Sequence, residues 1–154
     1  ISQILLSIKI LDKNGEEKEI KREEINFFYR GSDISEDYLV LSAKLKGELS
    51  SQDSIKKKQE EFIERKKISQ PSRIKTGGST FKNHKEKKAW ELIKESGCDK
   101  FSIGDAKISE KHSNFLVNSK NASFENMYNL INFVKLKVKE KTGITLELEL
   151  EIVN

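Results

Sequence analysis

The stretch Lys75-Thr76-Gly77-Gly78-Ser79-Thr80-Phe81-Lys82-Asn83 holds the residue types best suited to chemistry. Two glycines ahead of a serine let the backbone approach a ligand and present a hydroxyl with no side chain in the way. It is not a phosphate loop, because Ser follows the second glycine and Lys82 comes too late. It is not a nucleophile elbow either, since no glycine stands two residues after Ser79. Taken alone, the stretch reads equally well as a surface turn. Lys75 and Lys82 could meet a diphosphate, but a lysine in so lysine-rich a chain says little. Glu147, Glu149 and Glu151 alternate with leucines, so they share one face; spacing does not distinguish them. His112 fits a structural histidine more readily than a ligand, and Arg30 fits an ordinary surface arginine after an aromatic run. Cys98 is the one cysteine, which excludes an internal disulfide, and no CxxC or Cys/His cluster supports a metal. We read Cys98 as inert.

These residues need elements to hold them. Ile4 to Leu11 is rich in β-branched residues, and Asn14-Gly15 between it and Lys18 to Lys21 predicts a hairpin. Tyr38 to Leu45 reads as a further strand. Ser51 caps a charged helix to about Lys67, with only Ile55, Phe62 and Ile63 as an apolar stripe. Pro71, the only proline, ends that region. Residues 69–83, rich in Gly, Ser and Thr, read as a functional loop. Lys87 to Glu95 is a helix closed by Gly97, and 103–118 is mixed, with a short buried strand at 114–118. Ser123 caps a long helix to about Thr142 with Met127, Leu130, Ile131, Val134 and Val138 on one face, and Gly143 ends it. Residues 144–153 alternate at period two, predicting a half-buried final strand. The order β-β-β-α, a loop, then α-β-α-β reads as α+β in two subregions meeting near Pro71.

Composition narrows the function classes. The chain has 154 residues, 35% hydrophobic and 35% charged, with mean hydropathy −0.65, a net charge of +4 and a pI near 9.0. Such a chain has a small core and a heavily charged surface. The basic balance suits a polyanionic ligand such as a nucleotide diphosphate, or nucleic acid. No apolar run approaches the ~20 residues of a membrane helix, so a cytoplasmic, membrane-free setting is expected. Ile1 lies inside an apolar run, so the natural start is expected upstream, where a targeting segment would be out of view.

Several stretches together resemble one family. Ser69-Gln70-Pro71 followed by Gly77-Gly78-Ser79-Thr80-Phe81-Lys82-Asn83 looks like the signature loop of the UDP-N-acetylenolpyruvoylglucosamine reductases. Residues Ile108 to Asn118 resemble the second signature, and Phe28-Tyr29-Arg30-Gly31-Ser32 the tyrosine-arginine motif. Leu146 to Val153 is similar in position and pattern to the family's C-terminal strand. The short distance from Arg30 to Ser79 resembles the compact branch, which lacks a substrate-capping insertion.

The resemblance implies a flavoprotein of peptidoglycan precursor synthesis. It would use FAD and NADPH to reduce UDP-N-acetylglucosamine enolpyruvate to UDP-N-acetylmuramate, acting as a monomer with no nucleic acid or membrane partner. It further implies that Ser79 is the proton donor, that Arg30 pairs with the substrate carboxylate, and that Glu149, protonated, shares the enolate charge. Tyr29, Asn83, Lys111 and His112 match positions near the substrate. The domain reading is then 1–68 as the C-terminal part of the flavin domain, 69–143 as the substrate-binding domain, and 144–154 as the strand carrying Glu149. The glycine-rich flavin-phosphate loop of the family is absent, so no residue is assigned to FAD, and these 154 residues alone are expected to be colourless and inactive. The chain also departs from the family's pattern. His84 stands where proline is preferred, Asp105 where a second glycine is usual, and Glu151 where arginine is common. A small basic nucleic-acid-binding domain is the competing expectation, supported by the pI and the lysine-rich helix.

Overall fold

In the computed structural model, which describes residues 1–153, the chain is α+β and divides into two compact units, Ile1–Ile55 and Lys56 onward.

The first unit is a three-stranded antiparallel sheet of order β2-β1-β5, with β1 (Leu5–Leu11) central, β2 (Glu17–Lys21) on one edge and β5 (Leu39–Leu45) on the other. Leu5, Ile8, Ile10 and Ile25 are buried beneath it. The expected Asn14-Gly15 turn joins β1 to β2, with Gly15 at φ +80°. Asp12 organises that turn. Its carboxylate accepts from the backbone N–H groups of Asn14 and Glu16 and from Lys18 Nζ. The Lys18 ammonium, followed by the two backbone donors, holds the Asp12 carboxyl below the usual carboxylate range. A carboxyl depressed in the folded state stabilises above its unfolded pKa of about 3.9 and loses that contribution as pH falls through the folded value. Asp12→Asn is therefore expected to flatten the acid limb of the stability–pH curve below about pH 4, as read by chemical denaturation at stepped pH. An unchanged acid limb would show that Asp12 is not responsible.

Sequence patterning missed one element here. β3 (Phe27–Phe28) and β4 (Gly31–Ser32) form a two-residue hairpin with Tyr29-Arg30 at its tip. Its strands are too short to show a period. Its base is closed by Asp33, whose carboxylate accepts from the backbone and side-chain amides of Asn26. In β5 every residue is exposed, although Leu39, Val40, Leu41 and Leu45 are apolar.

Helix α1 (Gln52–Ser69) has no buried residue, in keeping with its thin apolar stripe. The rest of the second unit is a four-stranded antiparallel sheet, β6-β9-β8-β7, formed by β6 (Lys75–Ser79), β9 (Phe115–Asn118), β8 (Ala106–Ile108) and β7 (Ser102–Ile103). Helices α2 (Ala89–Glu95) and α3 (Phe124–Thr142) share its core. α3 matches its pattern closely. Ser123 Oγ accepts from Asn126 N while Asn126 Oδ1 accepts from Ser123 N, a reciprocal cap. Gly143, at φ +75°, closes the helix by donating to Lys139 O. Leu130, Ile131, Val134 and Val138 are buried.

Three expectations change. The stretch expected as a loop contains β6, paired with β9. Residues 103–118, read as mixed, form the β7–β8 hairpin across Gly104-Asp105 and then β9. The positive φ (+55°) falls on Gly104, the first of the two turn residues, so Asp105 fits without a second glycine. The final strand is reduced to one bridge, Phe81 with Leu148, flanked by backbone bonds from Lys82 N to Glu147 O and from Glu149 N to Thr80 O. The alternation survives in burial, with Leu146 only 2% exposed, but pairing on one side alone does not extend to a ladder.

Candidate active site

Ser79 stands at the end of a strand that is held by side chains as well as by its ladder. β6 pairs Thr76 with Val117 and then Ser79 with Phe115, so Gly77 and Gly78 together face Leu116. That is a bulge, and it bends the strand just before Ser79. Gly78 has φ +88°, a conformation closed to most L-residues. The Thr76 hydroxyl donates to Leu116 O (2.7 Å) and accepts from Gly78 N (3.3 Å), serving backbone groups at the bulge. On the other side of Ser79, Thr80 N donates to Asn114 O (2.8 Å). Asn114, 4% exposed, accepts from Phe81 N with Oδ1 (3.0 Å) and donates to Phe81 O with Nδ2 (2.8 Å). Phe81 itself is fully buried in the core. The serine is thus half-buried, with its neighbours on both sides fixed.

The same strand edge brings in the C-terminal glutamates. Glu149 N donates to Thr80 O (2.9 Å), placing Glu149 beside the residue that follows Ser79. Glu149 is half-buried, whereas Glu147 and Glu151 are exposed. The three glutamates that period two left equivalent are therefore distinguished by burial. Glu147 lies 3.8 Å from Lys82 Nζ.

The other expected site residues are placed as follows. Asn83 Oδ1 accepts from Ala89 N (3.0 Å), so its carboxamide also fixes the start of α2. The His112 ring packs edge-on against Phe115, the partner of Ser79 (4.9 Å, 70°), and its Nδ1 accepts from Asn114 N (3.3 Å). Burial first, and the nearby Lys94 charge after it, lower the His112 pKa and so favour the neutral ring. Lys111 Nζ donates to Lys67 O and lines a cavity of about 440 Å³ with Pro71, Ile74, Lys107 and Val117. Neither Ser79, Asn83, His112 nor Glu149 lines that cavity.

In the first unit, Tyr29 and Arg30 form the tip of the β3–β4 hairpin. The Arg30 guanidinium lies 5.0 Å from the centre of the Tyr29 ring. Arg30 has φ +59°, a left-handed conformation costing a non-glycine residue about 1–2 kcal/mol. Gly31 follows with the Phe28 ring laid against it; a Cβ there would meet that ring at 2.1 Å. Arg73, outside the expected site residues, has the same left-handed conformation at φ +58°, so the backbone alone does not mark Arg30 as functional.

A family model described as the UDP-N-acetylenolpyruvoylglucosamine reductase C-terminal domain matches residues 70–153. The chain belongs to this family. It is 47% identical over 152 residues to the UDP-N-acetylenolpyruvoylglucosamine reductase of Pelagibacter ubique (strain HTCC1062), a match covering 97% of this chain and 50% of that protein. It is 42% identical over 153 residues to the reductase of the same name from Wolbachia pipientis wMel, covering 99% and 52%. The crystal structure of UDP-N-acetylenolpyruvylglucosamine reductase from Thermus caldophilus is similar with a TM-score of 0.81 at 31% identity, over 97% of this chain and 53% of that one. The chain spans about half the length of the curated relatives it matches.

The residues missed from sequence are Thr76 and Asn114. Asn114 was visible as the one polar head of a buried run, Asn114-Phe115-Leu116-Val117, and a buried carboxamide needs partners. Among the described residues no group of three or more His, Cys, Asp or Glu gathers to hold a metal. Cys98 is buried, which pushes its thiol pKa up, and it shares a hydrogen bond with Ser96.

Proposed function

We propose that this chain supplies the substrate-protonating part of a reductase that converts UDP-N-acetylglucosamine enolpyruvate to UDP-N-acetylmuramate in the cytoplasm. The reaction adds a hydride, furnished by FAD that NADPH recharges, to one carbon of the enolpyruvyl double bond and a proton to the other. The described residues offer no cradle for a flavin diphosphate. The five glycines with positive φ all lie in hairpin turns, at the β6 bulge or at helix ends. The hydride side is therefore assigned to no residue of this chain, and the roles below concern charge and proton alone.

Hydride addition to the terminal carbon leaves enolate character on the neighbouring carbon and its carboxylate. Arg30 pairs with that carboxylate through its planar fork. Glu149, in its acid form, shares the developing charge by donating a hydrogen bond. Ser79 then gives its hydroxyl proton to the enolate carbon and is reprotonated from solvent. Tyr29, Asn83, Lys111 and His112 bind the rest of the substrate. A neutral His112 acts there by packing or hydrogen bonding, while Lys111 brings the charge that suits a diphosphate. The short link from Arg30 to Ser79 fits the compact branch of the family.

The observation that carries this reading is the seating of residues 147–149 on Thr80 to Lys82, which sets a half-buried glutamate beside the strand end that presents Ser79. Its test is turnover in deuterium oxide by a reductase containing this chain, with NADPH and the enolpyruvyl substrate. One deuterium at the lactyl methine of UDP-N-acetylmuramate is expected. No product, or product without solvent deuterium at that carbon, would overturn the reading.

A further inference from the structure

We propose that Asn114 is a positioning residue for Ser79, acting through the backbone of Phe81. The inference rests on the reading of Ser79 as proton donor. Where β6 runs out, the chain leaves its ladder with β9 after the Ser79–Phe115 pair. Past that point a strand would ordinarily be held by the next backbone of its neighbour. Here the Asn114 backbone carbonyl still holds Thr80, and the Asn114 carboxamide extends the hold to Phe81. It offers one acceptor and one donor to the N–H and C=O of a single residue, Phe81, at 3.0 and 2.8 Å, while its own carbonyl holds Thr80 N at 2.8 Å. Three bonds from one residue thus fix the two residues that follow the serine.

The carboxamide is suited to this because its donor and acceptor are fixed in one plane, as in a peptide group. At 4% exposure, water cannot replace either bond. The clamp has a second consequence. Thr80 O and Lys82 N are the groups that receive the C-terminal segment, through Glu149 N and Glu147 O. Asn114 therefore grips the chain at the residue lying between those two contacts. It touches neither reacting group, but it sets the path of the backbone that carries one and seats the other.

The serine must meet the reacting carbon closely, and a displacement of about 1 Å can cost on the order of 10²-fold in rate. The test uses a reductase containing this chain and compares Asn114→Leu, which loses both Phe81 bonds, with Asn114→Asp, which keeps the acceptor and loses the donor. Ser79→Ala runs beside them. Reduction of bound flavin by NADPH is expected to stay at the wild-type rate in both Asn114 variants. Reoxidation by the enolpyruvyl substrate should fall about 10²-fold in N114L and by a smaller factor in N114D, with KM changed only a few-fold. Hydrogen exchange at the Phe81 amide should accelerate in N114L, a readout independent of turnover. Wild-type reoxidation in N114L, with S79A impaired, would overturn the positioning role alone. Loss of flavin reduction, KM and thermal stability together would show a merely structural asparagine and also overturn it. Wild-type reoxidation in S79A would instead remove the proton-donor reading on which the inference stands.

Discussion

Ser79→Ala in a reductase containing this chain is expected to lower product formation by about 10²–10⁴-fold, the range typical of a positioned general acid. Flavin reduction by NADPH, which needs no proton from this residue, should be unaffected. The serine's neighbours are held from both sides, by Thr76 at the bulge and by Asn114 past the strand end. Removing one oxygen should leave that frame in place, so the thermal midpoint should move little. Stopped-flow measurement of the two half-reactions separates the effects. If S79A reoxidises at the wild-type rate and protonates the same carbon, another acid does the work.

Glu149→Ala is expected to lower the rate of substrate reduction by about 10²–10³-fold, the loss seen when one donor to a developing oxyanion is removed. The informative part is the contrast with its neighbours. Glu147 and Glu151 have the same side chain on the same alternation, but both are exposed. Their alanine variants are expected to stay within about 2-fold of wild type, since exposed charges are screened by solvent and contribute little. Steady-state kinetics on the three variants checks this, and comparable losses in all three would show that burial does not select Glu149. Glu149→Gln adds a further distinction. A carboxamide can still donate a hydrogen bond, so a role as neutral donor predicts partial recovery relative to E149A.

Much of the fold was legible in the sequence. The Asn14-Gly15 hairpin, the Ser123 cap and the Gly143 stop each rest on one local rule with little competition, and each stands where that rule puts it. β6 was not legible, because its Lys-Thr-Gly-Gly-Ser sequence has no apolar face. Its strand character comes from β9, whose backbone supplies the pairing, and from Thr76, whose hydroxyl serves the bulge. The β3–β4 hairpin was hidden for a different reason. Two-residue strands carry no period, and its turn places an arginine where glycine or asparagine is the usual signal.

The candidate site shows the same division. Ser79, Arg30 and Glu149 came from a resemblance spread along the chain, since the residues themselves allowed bland readings. Burial then separated Glu149 from its two equivalents, which no spacing could do. Asn114 went unnoticed because its role lies in what it bonds across 33 residues of sequence, information that a local pattern does not hold.

The fully exposed β5 has a consequence for how these 154 residues behave in solution. Leu39, Val40, Leu41 and Leu45 give the strand apolar residues on both of its faces, and it lies at the edge of its sheet. An apolar strand with an open row of backbone donors and acceptors is a template for pairing with another chain. Edge-to-edge association of these 154 residues through β5 is therefore expected at high concentration. A lysine at Leu41 would act as a gatekeeper against edge-to-edge association without touching any residue of the candidate site.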